Sequence, residues 1–331
     1  MEAIQRKIKG VLIGCGKIAG IYGNNKSLTH IYSYCDSIAQ SKTLKVEGCV
    51  DKDLKKAKEL GAKFGIPKIS DNYVNLLNDI EPQFVIVATP NETHFEIVNR
   101  VLSLNRLPDL IIVEKPLCMS IDEFKLLKDK VFEKDVKLIV NHSRRFDNRF
   151  KELKEKISTT RLGNIFRIDM NSYGEWQKNG IHLMDTIAFL FEEKINLNLI
   201  EVNKINFNTK LASWTDLSLN FGGEFILNIN NNPEKYYQLF EMDFKFEKGR
   251  VYFHDFENKV RIEMKKLNYM QENILETSEF KFSHTKKSNM VVLIEEIERF
   301  FNNETNLSQY SIDRLDLSMN LFFKILPYYE N

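Results

Sequence analysis

The sequence has no excess of charge of either sign: 47 Lys and Arg stand against 46 Asp and Glu, a formal net charge of +1. A chain balanced in this way offers no global attraction to a phosphate backbone or an anionic lipid surface, so neither nucleic acid nor a membrane is expected as a partner. It also lacks any apolar run approaching the about 18 residues that a membrane helix needs. Its start, MEAIQRKIKG, leads into a short glycine-punctuated strand and not into the apolar core of a signal peptide. A cytoplasmic protein is the expectation. Cysteine is scarce: Cys15, Cys35, Cys49 and Cys118 make no CxxC pair and no disulfide-framework spacing, which points to free thiols in a reducing compartment. No internal repeat or low-complexity linker is present, and no cluster of His, Cys and carboxylates stands at metal-ligand spacing.

What is present is ordinary globular chemistry on a scale of two cores. The 331 residues are 43% hydrophobic and 28% charged, with a mean hydropathy of −0.34, and the length is roughly twice that of a usual single domain. Ile8 to Gly14 is short, apolar and β-branched, the pattern of a strand buried on both faces. Runs of the same kind recur at Leu44 to Asp51, Phe84 to Thr89, Leu110 to Glu114 and Val136 to Asn141, separated by amphipathic stretches such as DLKKAKELGAKFG. This alternation predicts right-handed βαβ crossovers and an α/β Rossmann fold with a doubly wound parallel sheet.

Further along, the period changes to two. Leu217, Leu219 and Phe221 alternate with polar residues, a Gly222-Gly223 turn follows, and Phe225, Leu227 and Ile229 continue the alternation. Met242, Phe244 and Phe246 open a second hairpin of the same kind. The expected organisation is a dinucleotide-binding domain over residues 1–120 and a substrate-binding and oligomerisation domain over 121–331. The latter would be α+β, with a large, mostly antiparallel open sheet and helices over Asn289 to Asn302 and Asp313 to Pro327. The outer positions Asp216, Ser218, Asn220, Asp243 and Lys245 are polar.

The chemistry begins after the first strand. Gly14-Cys15-Gly16-Lys17-Ile18-Ala19 fits G-x-G-x-x-G/A, in which the first glycine allows a tight turn and the second lets a pyrophosphate approach the backbone. The second strand ends in Asp51, whose carboxylate can accept both ribose hydroxyls of NAD and would repel a 2′-phosphate. Lys52 follows and could neutralise one, so NAD is favoured with NADP still open, as is a plain solvent-facing role for Asp51. The long separation of Gly16 from Asp51 is ascribed to an inserted loop between Asn24 and His30.

Three more stretches complete a pattern: Ala88-Thr89-Pro90-Asn91 with Thr93-His94, then Glu114-Lys115-Pro116, then Gly180-Ile181-His182-Leu183-Met184-Asp185. Together with the glycine loop they resemble the Gfo/Idh/MocA family of NAD(P)-dependent sugar and polyol oxidoreductases. The resemblance implies that Gly14, Gly16, Lys17, Ile18 and Asp51 hold the dinucleotide. Thr89, Pro90, Asn91 and His94 would border the nicotinamide ribose, with Glu114 and Lys115 beside the ring and Lys115 reaching the substrate hydroxyl. As in resembling proteins, Pro116 would follow a cis bond. Taken without its neighbours, EKP could equally end an edge strand.

His182 and Asp185 lie three apart, on one face of a predicted helix. They read either as a satisfied core histidine or as the acid/base pair that the resemblance implies. Many family members place an aspartate four residues before this histidine, whereas here that residue is Lys178, followed by Asn179. QKNGIH resembles the Asn-Gly-x-His form of members acting in surface-polysaccharide or nucleotide-sugar metabolism, and Lys178 could then meet an anionic sugar substituent.

Arg145, in the stretch Asn141 to Phe146, could bind an anionic group or make an internal salt bridge. Tyr173 and Trp176 could stack on a sugar or serve as core aromatics. His254 and His284 have no motif around them. The implied activity is interconversion of a secondary alcohol and a ketone on a sugar, polyol or nucleotide-linked sugar with NAD (NADP open), in a homodimer or homotetramer. The alternatives are a non-catalytic NAD-binding regulator on the same fold and an NAD-dependent glycosidase.

Overall fold

The protein is described by a computed structural model covering residues 7–21, 33–159, 161–209, 212–233, 236–278, 282 and 288–330. The proposed insertion from Asn24 to His30, and His284, lie outside them. The chain forms two compact units: 1–147 with 287–316, and 148–286 with 317–331.

The first unit is laid down as β1 (Ile8–Ile13), a π-type turn at Lys17–Ile21, α1 (Tyr34–Ile38), β2 (Leu44–Val50), α2 (Leu54–Phe64), β3 (Lys68–Ser70) and α3 (Tyr73–Ile80). It continues as β4 (Phe84–Val87), α4 (His94–Val101), β5 (Leu110–Val113), α5 (Ile121–Lys134) and β6 (Lys137–Val140). All six strands are parallel, in the order β3-β2-β1-β4-β5-β6. FVIV in β4 and LIIV in β5 are buried throughout, as central strands covered on both faces must be. The helices start where side chains cap them: Asp53 accepts the Lys55 N–H, and Ser120 accepts the Glu123 N–H while the Glu123 carboxylate accepts from Met119. The order reverses between β1 and β4, the switch point at which ligands of open α/β sheets bind.

The second unit comprises α6 (Asn148–Ser158), β7 (Ile165–Tyr173), α7 (Trp176–Phe191), β8 (Ile200–Asn208), β9 (Ser213–Phe221), β10 (Ile226–Asn232), β11 (Glu241–Phe246), β12 (Gly249–His254), β13 (Lys259–Leu267) and β14 (Asn273–Thr277). The eight strands run β14-β13-β12-β11-β7-β10-β9-β8, antiparallel except where β7 pairs with β10. In the two expected hairpins Leu217 faces Ile229 and Met242 faces Phe253. One face of the sheet buries Ile168, Met170, Phe244 and Phe253, with Phe191 of α7 tilted against Phe225 and Phe150 of α6 stacked on Phe253.

The other face is a polar lattice. Asp169 accepts from Arg167 and Asn228 and pairs with Lys245, while Arg250 bridges Asp243 and Glu263. Burial alone would raise the Asp169 carboxyl, yet these donors bring it down to about 2.

The chain then returns to the first unit with α8 (Asn289–Phe301). Its Met290, Leu293, Ile294 and Ile297 join Leu12, Phe84 and Leu110 in one core. Finally α9 (Asp316–Ile325) and α10 (Pro327–Glu330) complete the second unit. The sequence boundary at residue 120 therefore falls inside the first unit, whose sheet needs α5 and β6 and whose open face is covered by α8. Three strands carry no clear sequence signal: β3 has three residues, and β13 and β14 are largely exposed; central β7 alternates Ile168 and Met170 with Arg167, Asp169 and Asn171. All four cysteines are free and buried.

Candidate active site

At the carboxyl ends of β1, β2 and β4 the first unit opens a cavity of about 1050 Å³, lined among others by Gly14, Gly16, Lys17, Ile18, Asp51 and Thr89. Gly14 has φ +98°, and a Cβ there would lie 2.4 Å from the Ala88 carbonyl oxygen, so only glycine permits the β1 turn to pass the end of β4. At Gly16 a Cβ would meet nothing within 4 Å and would project into open space. Asp51 is held in place by accepting the Cys15 N–H on Oδ2 at 2.8 Å and the Asp53 N–H on Oδ1 at 2.9 Å. Each carboxylate oxygen retains a further lone pair. A bare loop beside a fixed carboxylate fits a dinucleotide: Gly14 to Ile18 would take the pyrophosphate and Asp51 the ribose hydroxyls.

After β4, Thr89, Pro90 and Thr93 continue the cavity wall, with the two threonine hydroxyls 2.8 Å apart. Asn91 opens the next turn, outside that wall. His94 is fully buried, with Nδ1 2.7 Å from the Pro116 carbonyl oxygen and Nε2 2.8 Å from that of Thr89. It braces the loop after β4 against the loop after β5. The Lys115–Pro116 bond is cis. Glu114 Oε1 accepts from the Tyr34 hydroxyl at 2.8 Å and from Asn141 Nδ2 at 2.7 Å. Burial, and then the Glu114 charge, push the Tyr34 phenol up. Burial lowers the Lys115 pKa; Glu114 opposes the shift and Arg144 adds to it. Arg145 is buried and donates to the Arg314 carbonyl at 3.1 Å, tying the returning segment to the sheet.

In the second unit His182 and Asp185 share a face of α7. Asp185 is 2% exposed and accepts the Ser318 hydroxyl at 2.8 Å from α9. Lys178 pairs with Glu175 at 2.8 Å on the exposed first turn, and Asn179 Nδ2 donates to the Tyr173 carbonyl at 2.7 Å. Tyr173 meets Phe256 edge-on. Trp176 is buried, stacked on Tyr329 at 4.5 Å with Phe322 beyond. Gly180 makes room for it: a Cβ there would sit 2.2 Å from the indole ring.

Three contributors have no sequence signal. Tyr34 lies 80 residues from the glutamate it contacts. Asn72 and Tyr73 line the cavity because they follow β3, a strand too short to read by period. Among the described residues no group of three or more His, Cys, Asp or Glu could hold a metal ion, and no helix is long and apolar enough to cross a membrane.

The strand order and the glycine loop at its switch point define a dinucleotide-binding α/β protein. Residues 8–142 match the family described as oxidoreductase family, NAD-binding Rossmann fold, and over these residues the chain is similar to the Gfo/Idh/MocA proteins. It is 28% identical over 161 residues to scyllo-inositol 2-dehydrogenase (NAD(+)) of Bacillus subtilis, covering 48% of this chain and 43% of that protein. With scyllo-inositol 2-dehydrogenase (NADP(+)) IolW of the same organism it is 25% identical over 187 residues, covering 50% and 51%. The chain thus spans about half the length of the curated relatives it matches. The WlbA dehydrogenase from Bordetella pertussis, solved in complex with NADH and UDP-GlcNAcA, superposes with a TM-score of 0.73 over 98% of this chain and 97% of its own. At 17% identity that likeness is one of fold.

Proposed function

We propose that the protein is an NAD-dependent dehydrogenase or reductase that interconverts a secondary alcohol and a ketone on a sugar, polyol or nucleotide-linked sugar. The observation that carries this reading is the cavity at the β1/β4 switch point, where the bare glycine loop, the anchored Asp51 carboxylate and the Thr89-Pro90 turn converge, with Lys115 at the end of the adjoining strand. The dinucleotide, when bound, supplies the hydride chemistry. Lys115 Nζ gives or takes the proton of the reacting hydroxyl, a role that its burial-lowered pKa favours. Glu114, fixed by Tyr34 and Asn141, carries the charge beside that amine. His182 is the second proton-handling group, with Asp185 as its orienting carboxylate. Lys178 meets an anionic substituent of the substrate, and Arg145, Tyr173 and Asn179 shape the substrate side. Asp51 makes NAD the preferred nucleotide, and pairing of identical chains through the open sheet completes the reading.

Isothermal titration with NAD and NADP, followed by a screen of inositols, sugars and nucleotide sugars for formation of reduced nicotinamide, tests it. Failure to bind either nucleotide would remove the reading. Cleavage of a chromogenic glycoside without net reduced cofactor would replace it with a glycosidase. Separate kcat and KM values for His182→Ala, Asp185→Asn and Lys178→Ala distinguish their roles: near inactivity, weakened turnover and altered substrate affinity, respectively.

A further inference from the structure

The second unit contains a groove of about 600 Å³, within the size range of small-molecule sites, that none of the roles above uses. Its floor is an anomaly of the sheet. On β9 and β10 the face packed under α7 is apolar for most of its length, with Leu217, Leu219, Leu227 and Ile229 all buried. Followed by twos toward the other end, the same face becomes Thr215 and Ser213 on β9 and Asn231 on β10. Asn206 pairs with Thr215, and Asn208 with Ser213. Each hydroxyl donates to its asparagine's side-chain oxygen at 2.9 Å. Among the described residues neither carboxamide nitrogen donates to a protein group, which leaves their N–H groups for a ligand at the groove.

The opposite wall is aromatic. Trp176 and Tyr329 stack with their planes 12° apart, and Leu326 extends the apolar surface. Among the described residues the Trp176 Nε1 and Tyr329 hydroxyl are buried without a hydrogen-bond partner, a state that native proteins seldom leave unexplained. Phe207 and Trp214, which alternate to the sheet face opposite Asn206 and Thr215, stack at 5.0 Å at the groove's edge. Among the described residues no Lys or Arg lines the groove, and Glu175 is the carboxylate in its wall. Glu175 is paired with Lys178, so the lining itself supplies no cation for phosphate.

A wall of Tyr329 and Leu326 backed by the buried Trp176, facing a row of amides and hydroxyls with no cation in the lining, is complementary to an uncharged pyranose ring, whose C–H face packs on that wall while its hydroxyls meet the polar side. Trp176 and Gln177 precede His182 on the same helix by six and five residues, roughly 8–9 Å along its axis and about 120–140° around it. We infer that the groove is a subsite for a second, uncharged sugar ring, so that the substrate is a glycoside of at least two rings and not a free cyclitol. The subsite's place in catalysis rests on the function proposed above, through His182.

Both tryptophans of the chain line the groove, so tryptophan emission of the full-length protein reports on it directly. Titration with cellobiose, lactose and chitobiose, beside glucose, uridine and inorganic phosphate, is expected to give a saturable emission change with at least one disaccharide and a weaker one with glucose. Asn206→Ala with Asn208→Ala is expected to weaken that binding roughly tenfold or more. Thr215→Val, which keeps the strand, is expected to weaken it to a smaller extent. NAD affinity by calorimetry should be unchanged in both variants. No saturable change with any disaccharide, saturation by uridine or phosphate instead, or full disaccharide affinity in both variants would overturn the subsite. Disaccharide binding without NAD binding would leave the subsite standing and remove the dehydrogenase reading; the reverse pattern would do the opposite.

Discussion

Replacing Gly180 with alanine tests whether the wall of stacked rings on α7 is built as described. A glycine inside a helix costs roughly 1 kcal/mol relative to alanine, so on propensity alone Gly180→Ala should stabilise the protein. The structure predicts the opposite. The new Cβ would lie 2.2, 2.4 and 2.6 Å from Cδ2, Cε2 and Cε3 of Trp176, which are inner atoms of a ring only 6% exposed and unable to swing aside cheaply. Overpacking of this kind costs roughly 1–3 kcal/mol. Moving the indole also weakens its stacks with Tyr329 at 4.5 Å and Phe322 at 6.2 Å, each worth roughly 0.5–1.5 kcal/mol. Against the gain in helix propensity the net is a loss of roughly 1–4 kcal/mol. Denaturant unfolding followed by far-UV circular dichroism should show a lower midpoint, and the emission of Trp176 should shift as the ring is displaced. A variant more stable than the parent, with an unaltered spectrum, would refute the packing argument.

Three further outcomes follow from the geometry. Asp51→Asn keeps an acceptor for the Cys15 N–H but removes the charge. NAD affinity should fall roughly tenfold to a hundredfold, the range for a lost charged hydrogen bond, while the preference for NAD over NADP narrows; paired calorimetric titrations check both. Because burial lowers the Lys115 pKa, the base limb of alcohol oxidation should rise at a pH below the ordinary lysine value of 10.5. Lys115→Arg should abolish that limb and reduce kcat by roughly two to four orders of magnitude, as a pH–rate profile would show. Asp169 titrates at about 2 in the fold against an ordinary 3.8, so its stabilising contribution is complete above about pH 4 and is lost as pH falls toward 2. Asp169→Asn should flatten this part of the acid-stability curve, measured by unfolding at a series of pH values.

What the sequence determines by itself is whatever depends on neighbours along the chain. The buried runs FVIV and LIIV, the glycine loop after β1, Asp51 at the end of β2 and the alternation around Gly222 each express a local period or turn, and each takes its place in the fold accordingly. The tertiary structure decides what depends on distant partners. Residue 120 reads as a boundary because the helical rhythm changes near it, yet the sheet requires β6 for its edge and α8, more than 140 residues further along, to cover its core. Central β7 alternates by twos, Ile168 and Met170 against Arg167, Asp169 and Asn171, but its place between β10 and β11 is decided by distant partners, Asp169 meeting Asn228 and Lys245 on those strands. Tyr34 finds Glu114, Ser318 finds Asp185 and Tyr329 finds Trp176 only once the chain is packed. A hydrogen bond or ring stack between residues far apart leaves no periodic trace in either segment, so these partners become visible only in three dimensions.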